Sequence, residues 1–155
     1  PAPRIPFPHT AEDLTMLVRL LYASRAVDTS PAVIESILGS ARQHNQDCGI
    51  TGILVYGGGV FLQAIEGGRQ AISDLYGTIQ RDARHRDVVL LDYEEITQRR
   101  FGGWSMGLVN ASKLNANVLL KYSDRAVLDP YSVSGKVSLA LLEELIDTAS
   151  IVGRS

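Results

Sequence analysis

The chain has 155 residues, a mass of 16.8 kDa, a formal net charge of -2 and a pI of about 5.9. That length suits one domain with enough chain to bury a core unaided. The acidic balance speaks against nucleic acid, which demands a cationic surplus to neutralise phosphates. The single cysteine, Cys48, excludes an internal disulfide and a multi-cysteine metal site, and it points to a reducing, cytoplasmic setting. Apolar runs are only strand-sized, so no segment is expected to enter a membrane. His9, His44 and His85 are scattered without HxxxH or HExxH spacing, so no metal site is expected.

The proline-rich residues 1–15 read as a flexible extension. Residues 16–25 (MLVRLLYASR) read as a strand. Ser30-Pro31 opens a helix, with Ser30 as N-cap and Pro31 at the first helical position. Val33, Ile34, Ile37, Leu38 and Ala41 give it an apolar face, and it is expected to end near His44-Asn45. Strands at 50–56 and 60–66 flank Gly57-Gly58-Gly59, a hairpin signature, and Gly67-Gly68 closes the second. A helix over 69–83 presents Ile72, Leu75, Tyr76 and Ile79 on one side. Strands near 88–96 and 104–110 follow.

This order predicts an α+β, ferredoxin-like βαββαββ sandwich with two helices on one sheet face. The first strand then neighbours the third. Its residues are apolar on both parities, so the other face also needs a cover. Residues 113–121 and 133–149, broken at Asp129-Pro130, have the helical spacing to supply it. The expected organisation is an extension at 1–15, a core domain at 16–110 and a C-terminal helical extension at 111–155 that packs on the sheet or enters a subunit interface.

Several polar residues interrupt this apolar pattern. Gln63 lies mid-strand and must find hydrogen-bond partners. Tyr22, with Ser24 on its parity, belongs to the neighbouring strand. Tyr22 alone reads as a core tyrosine; beside Gln63 it forms a switchable pair, because an amide can turn either its oxygen or its NH2 to a neighbour. His44-Asn45 reads either as a helix-end pair or as donors and acceptors facing a ligand. Arg81, Asp82, Arg84, His85 and Arg86 read either as a solvated helix end or as a phosphate-steadying cluster. Trp104-Ser105-Met106 sits in the last strand, where packing is the plain reading. Cys48, placed at a turn, reads as a bystander thiol.

In order along the chain, LLYASR, SARQHNQDCGITGILVY, FLQAIEG, IQRDARH and RRFGGWSMGL resemble the BLUF domain, a flavin-binding blue-light sensor. The resemblance covers about residues 16–110. It implies FAD bound noncovalently between the two helices. It makes Tyr22 the photochemical electron donor and Gln63 the amide between Tyr22 and the flavin. Asn45 and His44 would hold the ring edge and Ile37 would pack on it. Arg81, Arg84 and His85 would meet the ribityl-phosphate end, and Trp104, Met106 and Ser24 would carry the signal. Many relatives have Asn-Asn where this chain has His44-Asn45, and Ala41 replaces a small polar residue of some relatives.

The resemblance further implies that Tyr22 gives an electron and then a proton, and that the Gln63 amide ends rotated or tautomerised. This shifts the flavin absorption to the red. A short, non-enzymatic bacterial photosensor of this type would self-associate into a homo-oligomer and would signal to a separate effector, such as a cyclic-dinucleotide enzyme. Three rival readings predict other features. An RNA-binding module needs exposed aromatics on its central strands. A small hydrolase of acylphosphatase type needs a phosphate-cradling arginine loop. A cysteinyl-adduct photosensor needs Cys48 over the flavin ring.

Overall fold

The computed structural model describes residues 15–148 and 151–154, so the expected extension at 1–15 lies almost wholly outside the described residues. The first strand, β1 (Leu17–Ala26), is buried without interruption from Val18 to Ser24. A strand buried on both faces requires two layers of cover, and both are present. Val18, Leu20 and Tyr22 pack on Ile72 and Leu75 of α2 (Arg69–Arg81). Leu21, of opposite parity, packs with Leu141, Leu142 and Leu145 of α4 (Gly135–Thr148), and with Leu119 of the short helix α3 (Ala116–Leu120).

The remaining elements follow the expected order with shifted edges. The first helix, α1 (Pro31–Cys48), sets Ile34, Ile37 and Leu38 against Leu54, Phe61 and Met106. Ser30 occupies its N-cap position, but the side chain makes no capping bond; the Ser30 N–H is instead accepted by Asp28 Oδ1 at 2.8 Å. The helix does not end at His44-Asn45. It runs to Cys48 and closes on Gly49, whose φ of 68° is the left-handed conformation that glycine takes at no steric cost. His44 and Asn45 are thus inside the helix and do not cap it.

Strands β2 (Thr51–Gly57) and β3 (Val60–Gly68) form the expected hairpin. Gly58 and Gly59 have φ of 59° and 77°, as a two-residue primed turn demands. Gly67-Gly68 are the last two residues of β3, and α2 begins at the next residue with Gly68 as its N-cap. Strand β4 (His85–Glu95) begins three residues earlier than expected, and β5 (Trp104–Asn110) matches its predicted span.

From one edge the sheet order begins β4-β1-β3-β2-β5, with β1 antiparallel to β3 and β4, and β5 parallel to β2. The first four strands are the ferredoxin-like set. The outermost strand, β6 (Val152–Arg154), pairs antiparallel to β5 and has no counterpart among the expected elements.

A buried polar network braces the end of the sheet opposite the hairpin turn. Glu66, fully buried, accepts from Arg19 Nε at 2.9 Å, Arg100 N at 3.0 Å and Phe101 N at 2.6 Å. Arg19 also reaches Glu94 at 2.7 Å and lies over the Phe101 ring. The loop entering β5 is therefore fastened to β3, three residues beyond Gln63. The tail is fastened elsewhere: Tyr131 donates its hydroxyl to the Asp87 carbonyl at 2.7 Å and lies under the Arg25 guanidinium. With α1 and α2 on one face and α3 and α4 on the other, the sheet shows no open aromatic platform of the kind an RNA-binding module uses.

Candidate functional site

The β1–β3 register sets Tyr22 directly beside Gln63. Both side chains lie on the face covered by α1 and α2, and both are buried. The Tyr22 hydroxyl donates to Gln63 Oε1. The other end of the amide, Nε2, donates to Met106 Sδ at 3.1 Å. A chain of contacts therefore links three strands: β1, β3 and β5. The Tyr22 ring also meets Tyr76 of α2 in a tilted arrangement with centroids 5.9 Å apart. Burial pushes the Tyr22 phenol far above its ordinary value, with Tyr76 and Asp82 adding to the effect. It is a neutral donor at any physiological pH.

These residues face a cavity of about 190 Å³ between α1 and α2. Ile37, Leu54, Phe61, Leu75 and Ile79 give it apolar walls. Most of its lining surface is apolar, with polar side chains set at particular points, which is the pattern of a small-molecule site. Asn45 is fully buried and donates Nδ2 to the Ser105 carbonyl at 2.6 Å. Its Oδ1, and Nε2 of His44, are buried yet make no hydrogen bond among the described residues. Buried polar atoms seldom go unpaired, so these two, on residues of the cavity wall, are placed to receive a ligand. Flat apolar walls, an acceptor from Asn45, a ring nitrogen from His44 and the Gln63 amide suit a planar heteroaromatic with polar edges. A flavin ring system is such a group.

The opposite end of the cavity is charged. Asp82, Arg84 and His85 line it. Asp82 and Arg84 form a two-point ion pair, with Nη2–Oδ2 at 2.7 Å and Nε–Oδ1 at 3.0 Å. That bond holds the Asp82 carboxyl below its usual range and raises the Arg84 guanidinium. His85 is pushed below its ordinary value by burial, with Asp82 opposing the shift. Its Nδ1 lies 2.9 Å from Ser24 Oγ.

Of the residues expected from sequence, Tyr22, Gln63, Ile37, His44, Asn45, Arg84, His85 and Met106 come together on the cavity wall. Arg81 does not: it lies in the last turn of α2 beside Gly77. Trp104 is buried but off the wall, folded over Gly107 near Ile151, while Met106 takes the place beside Gln63. Ser24 reaches the site only through His85. Cys48 is exposed at the end of α1, away from the wall, so it has no geometry for an adduct. Leu54, Phe61, Leu75, Ile79, Thr78 and Ser40 also line the wall, although sequence reasoning does not single them out as site residues, and Asp82 of the charged cluster joins them. Strand parity relative to Gln63 marks Phe61, and the Ile72/Leu75/Ile79 spacing marks the α2 face. Among the described residues no cluster fit for a metal occurs, and no helix is long and apolar enough to cross a membrane.

The fold thus sets a buried tyrosine–glutamine pair against a cavity between two helices, an arrangement suited to a small planar ligand. The family profile BLUF, described as "Sensors of blue-light using FAD", matches residues 17–107. The chain belongs to the BLUF family. It is 36% identical to BlrB, a BLUF protein whose dark-state structure superposes with a TM-score of 0.73, covering 88% of this chain and 99% of that one. Klebsiella pneumoniae BlrP1, solved with FMN and cyclic diGMP, is 36% identical with a TM-score of 0.61, over 68% of this chain and 29% of that chain. The blue light- and temperature-regulated antirepressor BluF of Escherichia coli K12 is 35% identical over 94 residues, 60% of this chain and 23% of that protein. The chain thus spans under a quarter of the length of the curated relatives it matches first.

Proposed function

We propose that this chain is a blue-light photoreceptor that binds FAD noncovalently and signals by rearranging the hydrogen bonds of Gln63. The observation that carries the reading is the Tyr22–Gln63–Met106 chain facing a cavity whose wall residues Asn45 and His44 keep unpaired polar atoms. Gln63, Asn45 and His44 would hold the ring edge, Ile37 would pack on the ring, and Arg84 and His85 would stand toward the ribityl end. Bound there, the flavin supplies blue-light absorption and, once excited, oxidising power.

The chain's own residues do the rest. Tyr22 is the electron donor, and Gln63 Oε1 is the acceptor already placed for its proton. When both return, the amide settles turned over, with NH2 toward the tyrosine oxygen. Its oxygen then faces the Met106 thioether, which has no proton to give. The Gln63–Met106 contact is lost, and β5 loses one tether. A hydrogen bond is worth about 0.5–1.5 kcal/mol net, enough to shift a two-state element roughly fivefold without unfolding it. From β5 the change reaches the tail layer of α3 and α4, the candidate surface for a separate effector. The cyclic diGMP present in the BlrP1 structure supports a cyclic-dinucleotide enzyme as the effector class. A homo-oligomer and a cytoplasmic setting complete the proposal.

The test is an absorption spectrum of the purified protein before and after blue light. A flavin band that shifts slightly to the red and recovers in the dark is expected. A protein that takes up no flavin, or a band that bleaches on illumination, would overturn the reading.

A further inference from the structure

Residues 121–134, which join α3 to α4, form no regular helix or strand. They nevertheless act as a cover. Val127, Leu128 and Val133 close over Leu119 of α3 and over Val137 and Leu141 of α4, and a void of about 20 Å³ remains beneath them. A void deprives its lining of contacts on one side, so this cover is held weakly by packing. Polar ties are few as well. Among the described residues, the side-chain and backbone hydrogen bonds of residues 123–133 stay within the segment, with one exception. The Tyr131 hydroxyl donates to the Asp87 carbonyl at 2.7 Å, and the Arg25 guanidinium lies over the Tyr131 ring at 4.4 Å from its centroid.

That one tie lands on a corner shared with the cavity. In the β1–β4 register Arg25 pairs with Arg86 and Ala26 with His85. Neighbouring residues of a strand point to opposite faces. On one face Ser24 Oγ meets His85 Nδ1 at 2.9 Å, and His85 lines the cavity. On the other face Arg25 holds Tyr131. Asp87, just beyond His85, has a φ of 52°, a left-handed conformation that strains a residue with a side chain and persists only where its surroundings impose it. Here they do: Arg86 and Arg25 hold the Asp87 carboxylate at 2.9 and 3.6 Å, and Tyr131 holds its carbonyl. Releasing Tyr131 lets Asp87 relax, which offsets part of the lost bond.

We propose that residues 121–134 are a strap, clasped by Tyr131 to the β1–β4 corner, whose opening bares the apolar floor of the tail layer and is governed by what stands against His85 in the cavity. Tyr131 is a positioning residue for the strap. A group seated against His85 steadies the start of β4 and Asp87 with it, so the clasp stays closed for more of the time. This route from cavity to tail does not pass through β5. The coupling to the cavity rests on the flavin reading, whereas the clasp does not.

Trypsin cleavage at Arg125, which is exposed within the strap, reads the opening, because cutting a folded chain needs local unfolding and follows the open population. Tyr131→Phe keeps the ring under Arg25 and loses only the hydroxyl. Cleavage of the full chain at Arg125 should rise about fivefold, the effect of one net hydrogen bond, with more binding of a hydrophobic dye and a nearly unchanged urea midpoint. In the dark, loading the wild type with FAD should slow cleavage by about threefold, and Tyr131→Phe should lose that dependence. Equal cleavage of wild type and Tyr131→Phe, or a wild-type rate indifferent to bound FAD, would overturn the proposal. So would a rise in cleavage matched by an equal fall in global stability. If Tyr131→Phe does not fold, Arg25→Gln decides the clasp: it removes the cation over the ring and should speed cleavage at Arg125, and an unchanged rate overturns the proposal. A chain that takes up no FAD would overturn the photoreceptor reading, while the comparison of wild type with Tyr131→Phe would still decide the clasp.

Discussion

Asn45 and Ser105 are joined across the site: the Asn45 amide donates to the Ser105 carbonyl at 2.6 Å, so a residue of α1 holds the strand that carries Met106. Arg42, one turn earlier, donates to the Met106 carbonyl at 3.3 Å. On its β2 side, β5 pairs only from Gly107 onward. On that side its first residues are therefore steadied by side chains of α1 and by Gln63.

Replacing Tyr22 with Phe removes the proposed electron and proton donor and leaves Gln63 Oε1 without its partner. The reversible red shift should disappear while bound flavin remains. Stability should fall by about 1–2 kcal/mol, the cost of an unpaired buried acceptor. Difference spectra and urea titration check the two parts separately.

Met106→Leu keeps the volume but removes the sulfur acceptor, so the packing cost stays below about 1.5 kcal/mol. The flavin red shift should persist, whereas the light-minus-dark difference in amide hydrogen exchange along β5 should shrink. An unchanged exchange difference would place the lever somewhere other than the Gln63–Met106 contact.

His85 gives a pH signature. Burial lowers its pKa in the fold below the ordinary 6.5. The unfolded chain then binds the proton more tightly than the folded one, so stability is full above pH 6.5 and declines as pH falls through the folded-state value. Thermal midpoints should be flat above neutrality and fall as the pH drops below 6.5. His85→Gln should flatten that decline. Asp82 has the opposite chemistry but a lower window: its stabilising charge is lost only as pH falls below the ordinary carboxyl value of 3.8, so the two titrations separate.

Glu66→Ala strips the acceptor from Arg19 and from two backbone N–H groups while leaving the guanidinium buried. Breaking one side of a buried pair costs about 3–5 kcal/mol, measurable as a drop in the urea midpoint. Because Glu66 also fastens the loop before β5, the surviving folded protein should show faster exchange at Phe101.

Much of this architecture is legible in the amino-acid order. The two-faced burial of β1 predicts the tail layer, since an apolar strand on both parities cannot be left uncovered. The polar interruption at Gln63, next to Tyr22 by topology, locates the centre of the site. What escapes is set by long-range geometry. The extra turn of α1 closes on Gly49, a stop signal the sequence does carry, but His44-Asn45 offers a competing one four residues earlier. The pairing of Asp82 with Arg84 is invisible because a run of charges reads the same whether solvated or locked together. Trp104 lies over Gly107 while Met106 meets Gln63, and since the two share a strand parity no spacing rule says which of them does so. The short strand β6 pairs through main-chain groups, which every sequence possesses.

The half-paired state of β5 along β2 bears on how such a protein can be tuned. Ladder bonds belong to the main chain and survive almost any substitution, so a fully zipped strand is hard to adjust. Tethers made by Asn45, Arg42 and Gln63 are side chains, each open to single-codon change. Two of these positions, Arg42 and Asn45, lie on α1, so the hold on the start of β5 is adjustable from a helix without touching the sheet.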